Sequence, residues 1–309
     1  MSNVTLMFEI HYQQDGIEVE QACVGRLCPE IEKPVFPEYD LSEQYKVMEI
    51  LDSKTSLPTP PLLGLELDTR VLGTPFYIMK KIEGRIPGDM PPYTMGGWMM
   101  EEVGPAERAA LWNAAIRSMA QLHQLDYQAL GFDFLAPAAG KTALQAQLDY
   151  WQRYLEWGLE GTPCPICDQA LQWLNDNQPK NEPTTLCWGD ARLGNLIISQ
   201  DCQSIAAVLD WEMAVLGNPV QDLAWWNFID RTFSEGLGMP RLEGLPSVQD
   251  TNKLWEQASG FSAKDYHYYE VFAGLRYGLI MARLMVAQGQ FDQVANNFVV
   301  TLLAKVMAE

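Results

Sequence analysis

The sequence predicts an α+β protein with two lobes, a small sheet-rich lobe over residues 1–82 and a large helical lobe over residues 83–309. In the first part, apolar and polar residues alternate between turn signals, which is typical of half-buried strands. From about residue 105, apolar residues recur every three or four positions, which is typical of amphipathic helices. Two short apolar runs between residues 186 and 209 interrupt the helical part and predict a small hairpin within it.

The first lobe is predicted to open with a β-hairpin. Apolar and polar residues alternate over residues 4–10 and 17–27, and Asp15-Gly16 between them is a turn signal. The alternation places four apolar side chains on one face of the first strand: Val4, Leu6, Phe8 and Ile10. We therefore expect two paired strands with an apolar face.

One helix and two more strands are predicted to complete this lobe. The helix covers residues 40–51, where Ser42 can cap the N-terminus and apolar residues recur at helical spacing. Apolar runs at residues 57–67 and 74–82 predict the strands. A connector follows over about residues 80–104.

The second lobe is predicted from four long helical patterns. They cover residues 105–125, 143–159, 266–288 and 296–308, and the first begins at a proline, which is favourable at the first helical position. Between them, residues 191–198 and 204–209 are predicted to pair as the hairpin.

Composition and charge narrow the class of partner. The chain has 309 residues, 48% of them hydrophobic, so it can bury a large core. Its 21 basic and 40 acidic residues give a net charge of −19, which argues against nucleic acid or an anionic membrane as the main partner. We find no secretory signal pattern, and Arg283 interrupts the most apolar late stretch. We therefore expect a cytoplasmic protein.

Six cysteines are dispersed along the chain, which is typical of a reduced protein and not of a disulfide-stapled one. Cys164 and Cys167 form a Cys-Pro-Ile-Cys motif, which we interpret as a loop with incidental cysteines. A zinc site would require a second such pair or paired histidines, and the chain has only His11, His123 and His267. A redox motif would require a preceding strand and a following helix. Both alternatives are weaker predictions.

Three polar residues around the hairpin predict the chemistry. Asp190 is followed five positions later by Asn195, and Asp210 ends the second apolar run. Pairing of the two strands would bring these side chains to the same end. A carboxylate, an amide and a second carboxylate are the groups that magnesium-dependent phosphoryl transfer uses, and this spacing is that of a kinase catalytic loop and its metal-binding aspartate.

At this point the chain resembles a known family, the aminoglycoside phosphotransferase (APH) and choline kinase-like small-molecule kinases. The similarity rests on the segments WGDARLGN, VLDWEMAVLGNPVQDLAWW, LGTPFYIMKKIEG, MAQLHQLD and YYEVFAGLRYG. It is strongest to the branch that resembles the kinase domains of acyl-CoA dehydrogenase family members 10 and 11. The resemblance implies a protein-kinase-like fold of two lobes and the transfer of a phosphoryl group from ATP or GTP, with Mg²⁺, to a hydroxyl group.

The same resemblance implies roles for individual residues. Asp190 would be the catalytic base, Asn195 and Asp210 the magnesium ligands, and Asp222 the brace of the catalytic loop. Residues 79–82 would be the hinge that meets the nucleotide base, with Met79, Lys80 and Ile82 as its contacts. Arg26 would bind the α- and β-phosphates, and Ser2 and Asn3 would lie at the phosphate-side turn. Independently of the resemblance, we expect Arg192 either to contact a phosphate or the substrate or to form a salt bridge with a neighbouring acid.

The sequence also departs from the family pattern. Trp188 replaces the usual His before Gly-Asp, so a supporting His hydrogen bond is expected to be lost. Gln44, or Glu43 one position earlier, is expected to face Arg26 where the family has a Glu paired with a Lys. The family also has a first strand and a Gly-rich turn before the segment that opens this chain, so we expect either a misplaced start codon or a first lobe that lacks an edge strand.

Two hypotheses of function remain open from the sequence. The first is a phosphotransferase whose acceptor is a small hydroxylated metabolite or an antibiotic. The second is a catalytically impaired, pseudokinase-like protein that binds a nucleotide or a metabolite; Trp188, Gln44 and the short start favour it, and the intact Asp190, Asn195 and Asp210 oppose it. His123 is expected to be a structural histidine, and the sequence does not indicate an oligomeric state.

Overall fold

The computed structural model describes residues 3–29 and 31–309. The first lobe contains one four-stranded antiparallel sheet and one helix, at β1 Val4–Gln14, β2 Ile17–Leu27, α1 Leu41–Lys54, β3 Leu62–Glu66 and β4 Phe76–Lys80. The strand order is β1-β2-β4-β3, so β1 and β3 are the edges of the sheet. The predicted hairpin, helix and two further strands are therefore confirmed.

Two details of this lobe differ from the sequence-based expectation. The α1 N-cap is Asp40, whose side chain accepts hydrogen bonds from the backbone N–H groups of Ser42 and Glu43, so the cap assignment to Ser42 was wrong. The predicted apolar face of β1 exists but is not buried, because all eleven residues of this strand are exposed. The reason is positional: α1 packs against β3 and β4, and β1 lies beyond its reach at the edge.

The second lobe is mainly helical. Its helices are α2 Trp98–Glu101, α3 Pro105–His123, α4 Tyr127–Leu130, α5 Ala143–Leu159, α6 Pro165–Asp176, α7 Val220–Arg231, α8 Val248–Ser259, α9 Tyr266–Ala287 and α10 Phe298–Val306. Four short strands, β5 Thr185–Cys187, β6 Leu196–Ile198, β7 Ile205–Val208 and β8 Val215–Gly217, form two separate antiparallel pairs. The four helical patterns of the sequence all correspond to helices, whereas α2, α4, α6 and α8 were not predicted.

The predicted hairpin is present but shorter than expected. β6 pairs with β7, while residues 191–195 form a loop that ends in a single 3₁₀ turn, and β5 pairs with β8. The loop between β5 and β6 is thus held at both ends by strands of different pairs. This arrangement fixes the segment that contains Asp190 and Asn195.

The two lobes share one hydrophobic core. Buried apolar residues of α1 and β4 belong to the same contiguous cluster as those of α3, α5, α7 and α9. A backbone hydrogen bond also crosses between the lobes, from Val208 N–H to the Pro58 carbonyl at 2.8 Å, and two more join Arg85 of the connector to Ile198 in both directions. In the described part of the chain, no helix is long and apolar enough to cross a bilayer.

Candidate active site

The site is built around the loop that follows β5, and Gly189 determines the path of this loop. Gly189 has a φ of +87°, and a Cβ at this position would lie 1.9 Å from the carbonyl oxygen of Met213. Because that contact is with backbone, the neighbour has no rotamer to change. A glycine is therefore required where the chain turns from Trp188 to Asp190.

Three donors hold the Asp190 carboxylate. Trp225 Nε1 on α7 donates to Oδ1 at 2.8 Å, and Arg192 Nε and Asn195 Nδ2 donate to Oδ2 at 2.9 and 2.7 Å. An ionised carboxylate has about four acceptor positions, so about one remains for another donor. The structure thus brings Asp190 and Asn195 together, as the sequence predicts, and fixes the rotamer of Asp190.

Arg192 links Asp190 to a residue that the sequence did not indicate. Its guanidinium pairs with Asp190 on one side and with Asp89, from the connector between the lobes, on the other. Burial alone would lower the pKa of Arg192, but the two carboxylates raise it overall. Asp89 lacked a signal in sequence because the connector has no regular periodicity; only its acidic character next to a predicted cleft could have suggested it.

Asp210 lies in an unusual conformation next to the same loop. It has a φ of +60°, in the left-handed region, and its Oδ1 is buried with no hydrogen-bond partner among the described residues. Burial raises the pKa of Asp210, while the charge of Arg26, 3.7 Å from Oδ2, lowers it. A buried carboxylate oxygen without a donor suits a hard divalent cation, which takes oxygen ligands. The residues present therefore fit Mg²⁺.

Arg26 on β2 has different partners from those expected. Its guanidinium donates to Thr5 Oγ1 at 2.9 Å and pairs with Asp210. No hydrogen bond or ion pair joins it to Glu43 or Gln44 within the described residues, so the expected contact with either α1 side chain is absent here. Glu43 is exposed and Gln44 is buried, and both line a different cavity.

A cavity of about 400 Å³ between the lobes, the interlobe cavity, collects most of the predicted nucleotide-site residues. Its walls include Arg26, Met79, Lys80, Ile82, Asn195 and Asp210. The Lys80 and Lys81 N–H groups are already bonded to the Pro61 and Ala22 carbonyls. No hydrogen bond among the described residues engages the Ile82 N–H, so it is the donor of this segment that remains for a ligand. Asn3 lies outside the cavity lining and donates to Glu212, and Ser2 is outside the described residues.

Asp222 braces the loop from α7, as expected. Its carboxylate is fully buried and accepts hydrogen bonds from the backbone N–H groups of Trp188 and Gly189 at 2.6 and 2.9 Å. His123 Nε2 also contacts it at 3.0 Å, and Trp255 Nε1 donates to His123 Nδ1. Because an indole only donates, Nδ1 is the acceptor and Nε2 carries the proton that reaches Asp222.

Trp188 makes no histidine hydrogen bond from the position of the usual His, but two other contacts hold the loop and its brace Asp222. His123 contributes a hydrogen bond from α3, and Trp188 itself donates from Nε1 to the Leu209 carbonyl at 2.8 Å. That bond ties the loop to the residue before Asp210. The sequence could not reveal it, because an indole in this position could equally have been only core.

A second cavity, the α1–α5 cavity, has a volume of about 310 Å³ and lies between these helices and the segment that follows Asp210. Glu43, Gln44, Tyr150, Trp151 and Met213 are among its lining residues. Arg276 on α9 also lines it, and its Nη2 donates to the Gly189 carbonyl at 2.7 Å. Burial lowers the pKa of Arg276 to about 10. Arg276 therefore connects this cavity to the backbone of the loop next to Asp190.

Two possible metal clusters do not compete with this site. His123, Cys187 and Asp222 meet in the core, but the hydrogen bonds described above already use both histidine nitrogens and the carboxylate. Glu9, His11 and Glu20 meet on the exposed surface of the first hairpin, where nothing further indicates a ligand. Among the described residues, no zinc-type cluster includes Cys164 or Cys167.

Comparison with known families decides the assignment. A sequence model of the APH phosphotransferase enzyme family matches residues 34–250, which is more than half of the chain. The chain belongs to this family. It is 32% identical over 268 residues to acyl-CoA dehydrogenase family member 11 of Pongo abelii, covering 84% of this chain, and 27% identical over 249 residues to family member 10 of Mus musculus, covering 78%. The matches span 32% and 22% of those two proteins, so the chain described here corresponds to a minor part of their length.

Solved structures establish the fold of the chain. A Ralstonia eutropha protein described as an aminoglycoside phosphotransferase superposes with a TM-score of 0.71 at 23% identity, covering 97% of this chain and 93% of its own. Ethanolamine kinase of Plasmodium vivax gives 0.60 at 11% identity, with 99% and 81% covered. APH(4)-Ia in complex with AMP-PNP and hygromycin B gives 0.55 at 15% identity, with 98% and 93% covered. The predicted protein-kinase-like fold of two lobes is confirmed.

Proposed function

We propose that this protein transfers the γ-phosphoryl group of ATP or GTP, with Mg²⁺, to a hydroxyl group of a small molecule. The observation that carries the proposal is the arrangement of Asp190, Asn195 and Asp210 at the edge of the interlobe cavity. Asp190 is held by three donors, and Asp210 has a buried oxygen without one. Phosphoryl transfer depends on such positioning more than on covalent chemistry by the protein.

The nucleotide would occupy the interlobe cavity. The Ile82 N–H would donate to the base, and Arg26 would turn from Asp210 toward the α- and β-phosphates. Asn195 and Asp210 would hold Mg²⁺, whose positive charge would stabilise the negative charge of the phosphate groups. Asp222 would keep the loop in place through the backbone of Trp188 and Gly189. A cavity of about 400 Å³ is within the range of small-molecule sites.

Asp190 would accept the proton of the attacking hydroxyl. Its free acceptor position suits one further hydrogen bond, and Arg192 would hold the carboxylate in its orientation. The acceptor would bind over the helical lobe, in the α1–α5 cavity that Arg276 connects to the loop. The antibiotic in the APH(4)-Ia complex and the metabolic relatives of the acyl-CoA dehydrogenase branch support a small hydroxylated molecule, either a hydroxyacyl-type metabolite or an antibiotic.

A second candidate function is a nucleotide- or metabolite-binding protein without phosphoryl transfer. The specific observation that favours it is the position of Arg26, which pairs with the proposed metal ligand Asp210 and not with α1. Such a protein would bind nucleotide without consuming it. The two functions therefore separate on turnover in the presence of an acceptor, once binding is established.

The first experiment measures thermal unfolding with and without ATP or GTP plus Mg²⁺. At a ligand concentration 100 times the Kd, the native state gains about 2.7 kcal/mol. We expect a magnesium-dependent rise in Tm for the wild type and its loss in Asp210→Asn. Asp52→Asn, which removes an exposed carboxylate on α1, is the matched control and should retain the rise. An equal rise in Asp210→Asn, or no rise in the wild type, would contradict the proposed site.

A further inference from the structure

The cysteine pair that the sequence analysis interpreted as incidental has a defined setting. Cys164 is the N-cap of α6 and Cys167 lies in the first turn of that helix, so the expectation of a loop was wrong. Both side chains are buried, and the two Sγ atoms are 2.7 Å apart. A disulfide bond has an S–S distance of about 2.05 Å, so a small movement of one side chain would close it.

We propose that Cys164 and Cys167 are a site of reversible intramolecular disulfide formation, for which a peroxide is the oxidant and a dithiol the reductant. The hydrogen-bond partners of Cys23 and Cys187, by contrast, are oxygen atoms. A cysteine in a Cys-X-X-Cys motif at a helix N-terminus is the one whose thiolate is stabilised by the helix dipole. Here that residue is Cys164.

The surroundings support the same assignment. Once Cys164 loses its proton, the Cys167 thiol can donate to the thiolate, and this hydrogen bond lowers the pKa of Cys164, although burial opposes it. The pair is enclosed by the Val294 carbonyl, 3.9 Å from Cys164 Sγ, and by α9 at Gly278. Because both sulfur atoms are buried, we expect a small oxidant such as H₂O₂ to reach them far more readily than glutathione.

The reaction balances with peroxide alone. The Cys164 thiolate attacks one oxygen of H₂O₂; the O–O bond breaks, hydroxide leaves and a sulfenic acid forms. Cys167 sulfur then attacks Cys164 sulfur, the S–O bond breaks, and hydroxide leaves with the Cys167 proton as water. The sum is two thiols plus H₂O₂ giving one disulfide plus two waters, a two-electron oxidation. A dithiol such as dithiothreitol reverses it by thiol–disulfide exchange.

Mass spectrometry of one peptide tests the proposal. Trypsin cleaves after Arg153 and Lys180, so both cysteines fall in the peptide of residues 154–180, which has no other cysteine. Native protein is treated with H₂O₂ or buffer, then denatured and alkylated. Compared with the untreated peptide, we expect the treated peptide to lack both alkyl groups and to have a mass two hydrogens below that of the unalkylated dithiol. After reduction with dithiothreitol and a second alkylation, both cysteines should have alkyl groups again. Oxidised glutathione should leave no mixed disulfide on it.

Variants sharpen the result. In Cys164→Ser and in Cys167→Ser the remaining cysteine cannot close a bond, so the two-hydrogen loss should vanish. Cys202→Ser, at a buried cysteine far along the chain, is the matched control and should leave the loss unchanged. Full alkylation of both cysteines after peroxide, or oxidation to sulfinic or sulfonic acid without the disulfide, overturns the proposal. If a variant does not fold, the wild-type masses alone decide it.

Discussion

The conformation and burial of Asp210 both lower the stability of the protein without ligand. It combines a left-handed backbone, a buried oxygen without a donor and a raised pKa. Each of these costs free energy in the protein without ligand. Such strain persists where the surrounding structure fixes it, and a bound cation would relieve it. If Asp210 is the metal ligand that we propose, its replacement should therefore change the stability of the protein measurably.

Asp210→Asn is accordingly expected to raise the Tm of the ligand-free protein. Because burial raises the folded-state pKa, the stability due to protonated Asp210 is present below the ordinary Asp pKa of about 3.9 and is lost as pH rises through the folded value. The gain from Asn should thus be close to zero below about pH 4, grow as pH rises through the folded pKa, and stay constant above it. Calorimetry of both proteins over this range measures it, and a lower Tm for Asp210→Asn at neutral pH would contradict it.

Asp190→Asn tests the proposed base. The amide keeps the size of the side chain but cannot take the hydroxyl proton, so turnover with an acceptor found by screening should fall by about 10²–10⁴-fold. Nucleotide binding, measured by the magnesium-dependent shift in Tm, should change little. Asp176→Asn, on the exposed surface of α6, is the control that should retain turnover. Unchanged turnover in Asp190→Asn would remove this residue from the mechanism.

Asp222→Asn tests the brace between α7 and the loop. The buried carboxylate accepts from two backbone N–H groups and from His123, and an amide would turn an N–H₂ group toward at least one of these donors. We expect the free energy of unfolding to fall by about 2–4 kcal/mol. Urea denaturation measures it, with Asp176→Asn expected within about 0.5 kcal/mol of the wild type. A loss for Asp222→Asn as small as that of the control would make the brace unimportant.

At the scale of elements, the loop after β5 depends on a glycine for two separate reasons. Gly189 has a positive φ, and the Met213 carbonyl occupies the place of a Cβ. Gly131 at the end of α4 also has a positive φ, +91°, but no atom lies within 4 Å of its Cβ position. Substitution of each glycine by alanine therefore distinguishes the cost of the backbone conformation from the cost of steric overlap.

Gly131→Ala is expected to cost about 1–2 kcal/mol of stability through its conformation alone. Gly189→Ala should cost more than this, because the backbone of Met213 must also move, and it should abolish the magnesium-dependent shift in Tm by displacing Asp190 and Asn195. Chemical denaturation and the nucleotide shift of both variants check the difference. Equal costs would mean that the loop accommodates a side chain.

The elements that the sequence predicted are those with a local signal. The hairpin of β1 and β2 has alternation and an Asp-Gly turn, and α3, α5, α9 and α10 have long apolar periods. α6 was missed because its first turn contains Pro and Cys, and this was interpreted as a loop. At the site, Asp190, Asn195 and Asp210 stood out by spacing. Asp89, His123 and Arg276 reach the loop from distant elements, and single-sequence patterns do not encode such tertiary contacts.

At the scale of the whole molecule, the connector joins the lobes firmly. Tyr93 donates to Asp230 at 2.6 Å within the core of the helical lobe, and burial raises the pKa of Tyr93. Asp89 pairs with Arg192 beside the loop. Arg283 Nε, on α9 of the helical lobe, donates to the Pro34 carbonyl of the first lobe at 2.8 Å. The interlobe cavity is therefore bounded by lobes that share a core as well as a connector, and we expect the division at residue 82 not to separate independently stable units.

A single cooperative unfolding transition is the consequence. Because one hydrophobic cluster includes α1 and β4 as well as the helical lobe, neither part keeps its core when the other unfolds. We expect one calorimetric peak, with calorimetric and van't Hoff enthalpies equal, and Mg²⁺ with nucleotide should move that peak as a whole. Tyr93→Phe leaves Asp230 without one donor and should lower the free energy of unfolding by about 1–3 kcal/mol. The peak should then move to lower temperature without splitting. A separate transition at lower temperature, with hydrogen exchange confined to residues 3–82, would contradict this and would make the first lobe a unit that forms its half of the cavity only on binding.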